Sequence, residues 1–259
     1  MLRRVSRLLL LVALCPAFGC YFFQGAKEPM PFERFMPHGP REARGVVVFL
    51  PGFSDGPEDF VKYGFPEILR ELAPGYDAVA PNAHFRYYRN QTVFARLEED
   101  VIGPLRAQGY AEVWLVGISM GGFGSLGYTY EHRDEITGLI LLAPYVGPQE
   151  LIDEIDAAGG LDAWDPGDLD ALDDEAERLF RGMLSWLKGL GGEEAKGPKI
   201  FIGYGEQDSM RFPEGLLHRA SHVATRPGGH KWVVWRPLFE ALVGQALQDP
   251  AERPDEDRR

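Results

Sequence analysis

Six apolar runs of strand length, at 46–50, 78–81, 113–118, 138–143, 200–204 and a weaker 222–225, are separated by segments whose apolar residues recur at helical spacing. A strand buried on both faces reads as a nearly continuous apolar run, and strands alternating with helices lie parallel beneath helices on both faces. The pattern predicts an α/β fold: a doubly wound, mostly parallel sheet of about six strands. Phe94, Leu97, Val101 and Leu105 mark one covering helix. Pro237 is read as the first turn of a last helix through Leu238, Leu242 and Val243, where its missing N–H costs nothing.

One segment breaks the alternation. Residues 149–197 carry 14 acidic against 4 basic side chains, a net charge of −10. Within them Leu172, Ala176, Leu179, Phe180, Met183, Leu184 and Leu187 trace one helical face, with Asp173, Asp174 and Glu175 in the first turn and Gly189 at the end. The segment reads as a helical cap inserted over the sheet edge, inside one domain spanning 45–248. Residues 20–44, with Pro29, Pro31, Pro37 and Pro40, read as a semi-extended linker, and 249–259, charged and proline-bearing, as a solvated tail. No internal repeat is visible.

The whole chain has a net charge of −12, which repels phosphate backbones and argues against nucleic acid as a partner. Both cysteines, Cys15 and Cys20, precede the folded part, so neither a disulfide framework nor a cysteine-based metal site is expected there.

The N-terminus places Arg3, Arg4 and Arg7 before an apolar run at 8–14, followed by Ala17-Phe18-Gly19. A basic start, a short apolar stretch and a small-x-small site make a secretory leader over 1–19. An uncleaved signal anchor is the rival, weakened by Pro16, Gly19 and Gln24 within the run to Ala26. Ala17-Phe18-Gly19-Cys20 resembles the lipobox of bacterial lipoproteins, although leucine is usual where Ala17 stands. That resemblance implies acylation of Cys20 and a chain tethered to a bacterial membrane in the cell envelope.

The chemistry is concentrated at Gly117-Ile118-Ser119-Met120-Gly121, which follows an apolar strand and opens a helical segment. A serine hydroxyl is a poor nucleophile unless a tight turn exposes it beside a base and near donors for an oxyanion. The alternative, a glycine-rich nucleotide-binding turn, lacks a G-x-G-x-x-G or a Walker lysine.

On that motif the chain resembles the α/β-hydrolase superfamily, over about 45–247. The resemblance implies a catalytic order of serine, then acid, then histidine. Gly203-Tyr204-Gly205-Glu206-Gln207-Asp208 is similar to the family's acid turn, and Gly228-Gly229-His230 to its histidine loop. The implied triad is Ser119, Asp208 and His230, with Glu206 as the fallback acid. His38 and His84 precede the serine, and His132, His218 and His222 fit packing or surface positions better. The oxyanion donors implied are the amides of Met120 and of Phe53 in Pro51-Gly52-Phe53, with proline where the family often has histidine. The family's two leading strands have no visible counterpart, so a reduced sheet is expected.

These features point to a serine hydrolase acting on a carboxylic ester or thioester through an acyl-enzyme, with no metal or organic cofactor. A peptidase or amidase with the same triad, or an envelope binding protein on a hydrolase scaffold, are the rivals. Arg86 and Arg89, in a segment leaving the C-terminal end of a strand, are read as bordering the pocket. They would either pair with cap carboxylates or receive an anionic group of the substrate.

Overall fold

In the computed structural model, which describes residues 25–35, 37–190 and 197–247, the apolar runs become strands of one seven-stranded sheet. These are β1 (Phe32–Phe35), β2 (Gly45–Leu50), β3 (Tyr76–Pro81), β4 (Glu112–Ile118), β5 (Gly138–Leu142), β6 (Lys199–Gly205) and β7 (His222–Arg226), in the order β1-β3-β2-β4-β5-β6-β7. All neighbours are parallel except β1 and β3. The doubly wound, mostly parallel sheet is as expected. The leader, Cys20 and the tail at 249–259 lie outside the described residues. Among the described residues no helix is long and apolar enough to cross a membrane.

The strand count and the start of the fold need correction. β1 lies inside the stretch read as a linker and adds a seventh strand, antiparallel, so one leading strand is present after all. Four residues between prolines give no periodic signal, and Phe32–Phe35 gets its conformation by pairing with β3, Phe32 opposite Pro81 and Phe35 opposite Ala78. Exposed Glu33 and Arg34 blunt that sheet edge against further pairing. The preceding chain is also fixed. Met30 is buried and its N–H donates to Asp100 Oδ2 at 2.8 Å, while Tyr87 Oη exchanges hydrogen bonds with the backbone of Lys27.

The helices are α1 (Pro57–Lys62), α2 (Phe65–Leu72), α3 (Phe85–Arg89), α4 (Val93–Leu97), α5 (Gly103–Gln108), α6 (Met120–Glu131), α7 (Gln149–Ala157), α8 (Glu175–Gly189) and α9 (Trp232–Ala246). One face of the sheet is packed by α1, α2 and α9 around Phe49, Phe60, Phe65, Trp232 and Phe239. The other is packed by α3 to α8. The helix read through Phe94 and Leu105 is divided into α4 and α5 by a π turn at Glu98–Ile102. Pro104 has no N–H to give, and its ring would collide with the carbonyl four residues back, so the turn widens there.

α9 begins at Trp232 rather than at Pro237, which lies inside it. Trp232, Trp235, Leu238, Phe239, Leu242 and Val243 form one buried stripe, and their packing outweighs the hydrogen bond that proline removes. The carbonyl that loses its helical donor belongs to Val233, a residue 63% exposed.

The acidic insertion is only partly a cap. α8 starts at Glu175, with the Asp174 side chain accepting from the N–H groups of Ala176 and Glu177, while Leu172 precedes the helix. Met183, Leu184 and Leu187 are buried in the same core as α6, but residues 175–178 are exposed. The second half of α8 is thus a covering layer of the sheet, and the first half projects as a wall.

Candidate active site

β2 leads to β3 on one side of the sheet and β4 leads to β5, β6 and β7 on the other. The crevice at the C-terminal ends of β2 and β4 is therefore the switch point where open α/β sheets bind ligands. Ser119 stands in it, between the last residue of β4 and the first of α6, with φ 52° and ψ −114°. A positive φ at a non-glycine residue costs on the order of 1–3 kcal/mol and persists only where the surroundings enforce it. Here they do. The Ser119 N–H donates to the Leu142 carbonyl at 3.0 Å, and the Tyr145 N–H donates to the Ser119 carbonyl at 2.9 Å. A Cβ on Gly121 would collide with the Leu50 carbonyl, and one on Gly117 with the Gly121 carbonyl. The spacing of the G-x-S-x-G motif is thus a steric demand of three main-chain segments meeting.

Asp208 follows β6 and His230 follows β7. Their turns are joined: the Gln207 N–H donates to the Gly228 carbonyl at 2.9 Å, the Gly228 N–H to Gln207 Oε1 at 2.6 Å and the Glu206 N–H to the Arg226 carbonyl at 2.9 Å. His230 Nδ1 lies 2.9 and 3.1 Å from the two Asp208 carboxylate oxygens, and Nε2 lies 2.9 Å from Ser119 Oγ. With the proton assigned to Nδ1, the imidazole donates to Asp208 and accepts from the serine hydroxyl. The Asp208 side chain is 1% exposed, and its Oδ1 also accepts from the Met210 N–H at 2.9 Å. Glu206 is exposed and stays outside this chain of hydrogen bonds.

Ser119 and His230 open onto a cavity of about 360 Å³ that Phe53, Asp55, Trp232 and Trp235 also line. The Phe53 ring packs on Phe85 with centroids 4.6 Å apart. On the Phe85 side lies a second cavity of about 460 Å³, walled by Phe94, Met120, Phe123, Tyr145 and Phe180, with Arg89 among its lining residues. Met120, immediately after the serine, borders this second space. As the first residue of α6 its N–H has no acceptor within the helix, and Phe53 shares the first cavity with Ser119.

Arg86 and Arg89 belong to α3 rather than to an irregular loop. Helix α3 is capped by His84, whose Nδ1 accepts from the Arg86 N–H at 3.3 Å. Arg89 is exposed at the second cavity, whereas Arg86 lines neither cavity. Described ion pairs of the acidic insertion include Arg181 with Glu154 and Glu177, Arg211 with Asp153 and Asp156, and Arg219 with Asp162. Glu98, His132 and Glu135 bring possible metal-binding atoms within 4.8 Å of one another. Arg106 pairs with both glutamates, and Tyr128 Oη donates to Glu98 at 2.5 Å, so cationic and hydroxyl donors already serve these carboxylates.

Sequence reasoning missed Asp55, Trp232 and Trp235. Trp232 Nε1 donates to Asp55 Oδ1 at 3.0 Å, and the Trp235 ring meets His230 edge to face at 4.7 Å. Burial pushes the Asp55 carboxyl above the usual carboxylate range, opposed by the Trp232 hydrogen bond. Two tryptophans at the start of an apolar helix look like packing, and that is also what they do.

Comparison with curated proteins by sequence finds no match. Among solved structures, an S-formylglutathione hydrolase from Agrobacterium tumefaciens is similar at a TM-score of 0.58 and 15% identity, covering 87% of this chain and 94% of that one. A monoacylglycerol lipase from Paleococcus ferrophilus is similar at 0.56 and 18%, covering 84% and 98%. Est1E from Butyrivibrio proteoclasticus, solved with ferulic acid bound, is similar at 0.54 and 19%, covering 83% and 93%. At such identities the likeness is one of fold. The model of the alpha/beta hydrolase family matches residues 47–258, most of the chain, and agrees with the sheet order and the serine turn: the chain belongs to the alpha/beta hydrolase family.

Proposed function

We propose that the protein hydrolyses a carboxylic ester or thioester through an acyl-enzyme on Ser119. The observation that carries this reading is the unbroken hydrogen-bonded line from Asp208 through His230 to Ser119 Oγ, at 2.9 Å on each side of the imidazole. Ser119 Oγ attacks the substrate carbonyl carbon as its proton passes to His230 Nε2. The oxyanion formed is met by the amides of Met120 and Phe53. Collapse expels the alcohol or thiol, which takes the proton back from Nε2, and water then repeats the sequence to release the acid. Asp208 holds the imidazole tautomer and stabilises the imidazolium. No step calls for a metal or an organic cofactor.

The aromatic cavity bordered by Met120 takes the acyl group, an apolar one by the character of its walls. The S-formylglutathione hydrolase and monoacylglycerol lipase activities named for proteins of similar fold support an ester or thioester substrate. The leader and Cys20 support a site of action in the cell envelope, tethered to a membrane by acylation.

Labelling with a fluorophosphonate probe tests the nucleophile, and p-nitrophenyl esters of graded chain length test the cavity. Labelling at Ser119 and turnover that rises with acyl length are expected. No labelling would leave a binding protein on a hydrolase scaffold. Replacing Cys20 with serine should release the protein from membranes, and retention through carbonate extraction would favour the uncleaved anchor.

A further inference from the structure

The loop after β2 carries, besides Phe53, a carboxylate that the triad does not use. Asp55 lines the cavity of Ser119 and His230. Its Oδ1 accepts from Trp232 Nε1 at 3.0 Å, two residues beyond His230 in the chain. Trp232 is itself fixed: its ring stacks on Tyr63 at 4.8 Å and is met edge to face by Phe60 at 5.2 Å and Phe65 at 5.5 Å. The aromatic clamp aims the indole N–H, the indole N–H aims Asp55, and Asp55 ties the loop bearing the Phe53 amide to the loop bearing the histidine.

The position is a poor one for a carboxylate kept only for packing. Partial burial disfavours its charge, and Asp59 of α1 adds repulsion. Opposing these are the Trp232 bond, the charge of Lys62 and, from across the cavity, that of His230 when protonated. The other charged groups around the imidazole are Asp208 on Nδ1 and the neighbouring Lys231. A carboxyl maintained against desolvation inside a reaction cavity is the usual mark of a functional group.

We propose that Asp55 is a positioning residue that acts through His230: anchored by Trp232, it presents a second negative charge to the imidazole and favours the imidazolium formed when Ser119 gives up its proton. This inference rests on the serine-hydrolase reading above. Asp208 orients the ring through Nδ1, and Asp55 contributes field from the cavity that both it and His230 line, where partial desolvation weakens screening.

The decisive variant is Asp55→Asn, which keeps an acceptor for Trp232 Nε1 and the side-chain volume while removing the charge. The rate of fluorophosphonate labelling and kcat on a p-nitrophenyl ester should each fall about tenfold, with KM unchanged. The acid limb of the kcat/KM profile should move to lower pH. Its thermal midpoint at pH 7.5 should equal or exceed that of the wild type, because a desolvated charge has been removed. Trp232→Phe keeps the ring and loses the donor. It should lower kcat and the labelling rate and move the acid limb in the same direction as Asp55→Asn by a smaller amount, and an unmoved limb would separate the anchor from the charge and count against the proposal. If Asp55→Asn labels and turns over like the wild type with an unmoved acid limb, the inference is overturned and the triad reading stands. Loss of thermal stability in parallel with rate, with no change in profile, makes Asp55 a structural tie and also overturns it. If the wild type itself fails to label, the serine-hydrolase reading falls and takes this inference with it.

Discussion

The two cavities on either side of the Ser119–Met120 turn, one lined by Ser119 and the other by Met120, are built by different means. The Ser119 side is made of strand ends and main-chain contacts: Gly121 against the Leu50 carbonyl, Ser119 tied to Leu142 and Tyr145, and the Gln207 turn stitched to Gly228. The aromatic side is made of side chains on α3, α4, α6 and the projecting half of α8. A backbone contact leaves no room for exchange, whereas a wall of Phe, Leu and Met side chains can be redrawn one residue at a time. On the proposed reading, reaction geometry and substrate choice are therefore separable in this molecule.

The separation can be broken hardest from the Ser119 side. Ser119→Ala should reduce kcat by on the order of 10⁶, and Asp208→Asn by roughly 10⁴, if the triad follows the serine-protease templates. Steady-state kinetics at saturating ester gives both numbers, and near-normal turnover would remove the residue from the mechanism. Gly121→Ala drives a methyl group into the Leu50 carbonyl, so it should cost on the order of 3 kcal/mol in denaturant unfolding or abolish folding. A fold that accepts it without loss would show that the serine turn is less rigid than the contacts imply.

From the aromatic side, Leu179→Trp fills space in the larger cavity. It should lower kcat/KM for octanoyl esters by roughly 10–100-fold while sparing acetyl esters, since a few methylenes lost from an apolar pocket are worth about 1–3 kcal/mol. Equal losses for both chain lengths would mean that the acyl group lies elsewhere.

Acid should distinguish the two sides as well. His84 is buried at the start of α3, and burial, aided by the charge of Arg86, holds its imidazole below the usual histidine range. In the unfolded chain His84 takes up a proton near pH 6.5, while the folded chain resists it. The unfolded state thus binds more protons, and the stability His84 provides is present above about pH 6.5 and lost as pH falls toward its folded value. Protection factors of α3 amides against hydrogen exchange should fall between pH 6.5 and 5 before those of β4 amides, and His84→Gln should remove the difference.

The same contrast explains what could be read from the sequence. The Ser119 turn was legible because it is a steric solution with one spacing, and the approach of Asp208 and His230 to it because the family's order places an acid and a histidine after the serine. β1 was not, because Phe32–Phe35 has no pattern of its own and is made by β3. Asp55 was not, because an aspartate in Phe53-Ser54-Asp55-Gly56 looks like a turn former, and the partner that gives it another role lies 177 positions away. Pro237 misled because a proline signals a helix start only where packing does not demand an earlier one.

The smallest expected effect belongs to Arg89. A guanidinium that received a substrate carboxylate in a dry pocket would contribute several kcal/mol, but Arg89 is exposed. Water and salt screen a contact at such a site, and exposed ion pairs are worth about 0.2–1 kcal/mol. Arg89→Ala should therefore raise KM for a hemisuccinate ester by no more than about fivefold and leave KM for the neutral butyrate ester unchanged. The rise should vanish in 0.5 M salt. A larger effect that survives salt would mean that α3 and the first half of α8 close over the substrate and take Arg89 out of water, which would turn the exchangeable wall into part of the reaction geometry. No effect on either ester would leave Arg89 as solvated surface and the aromatic side chains as the sole readers of the acyl group.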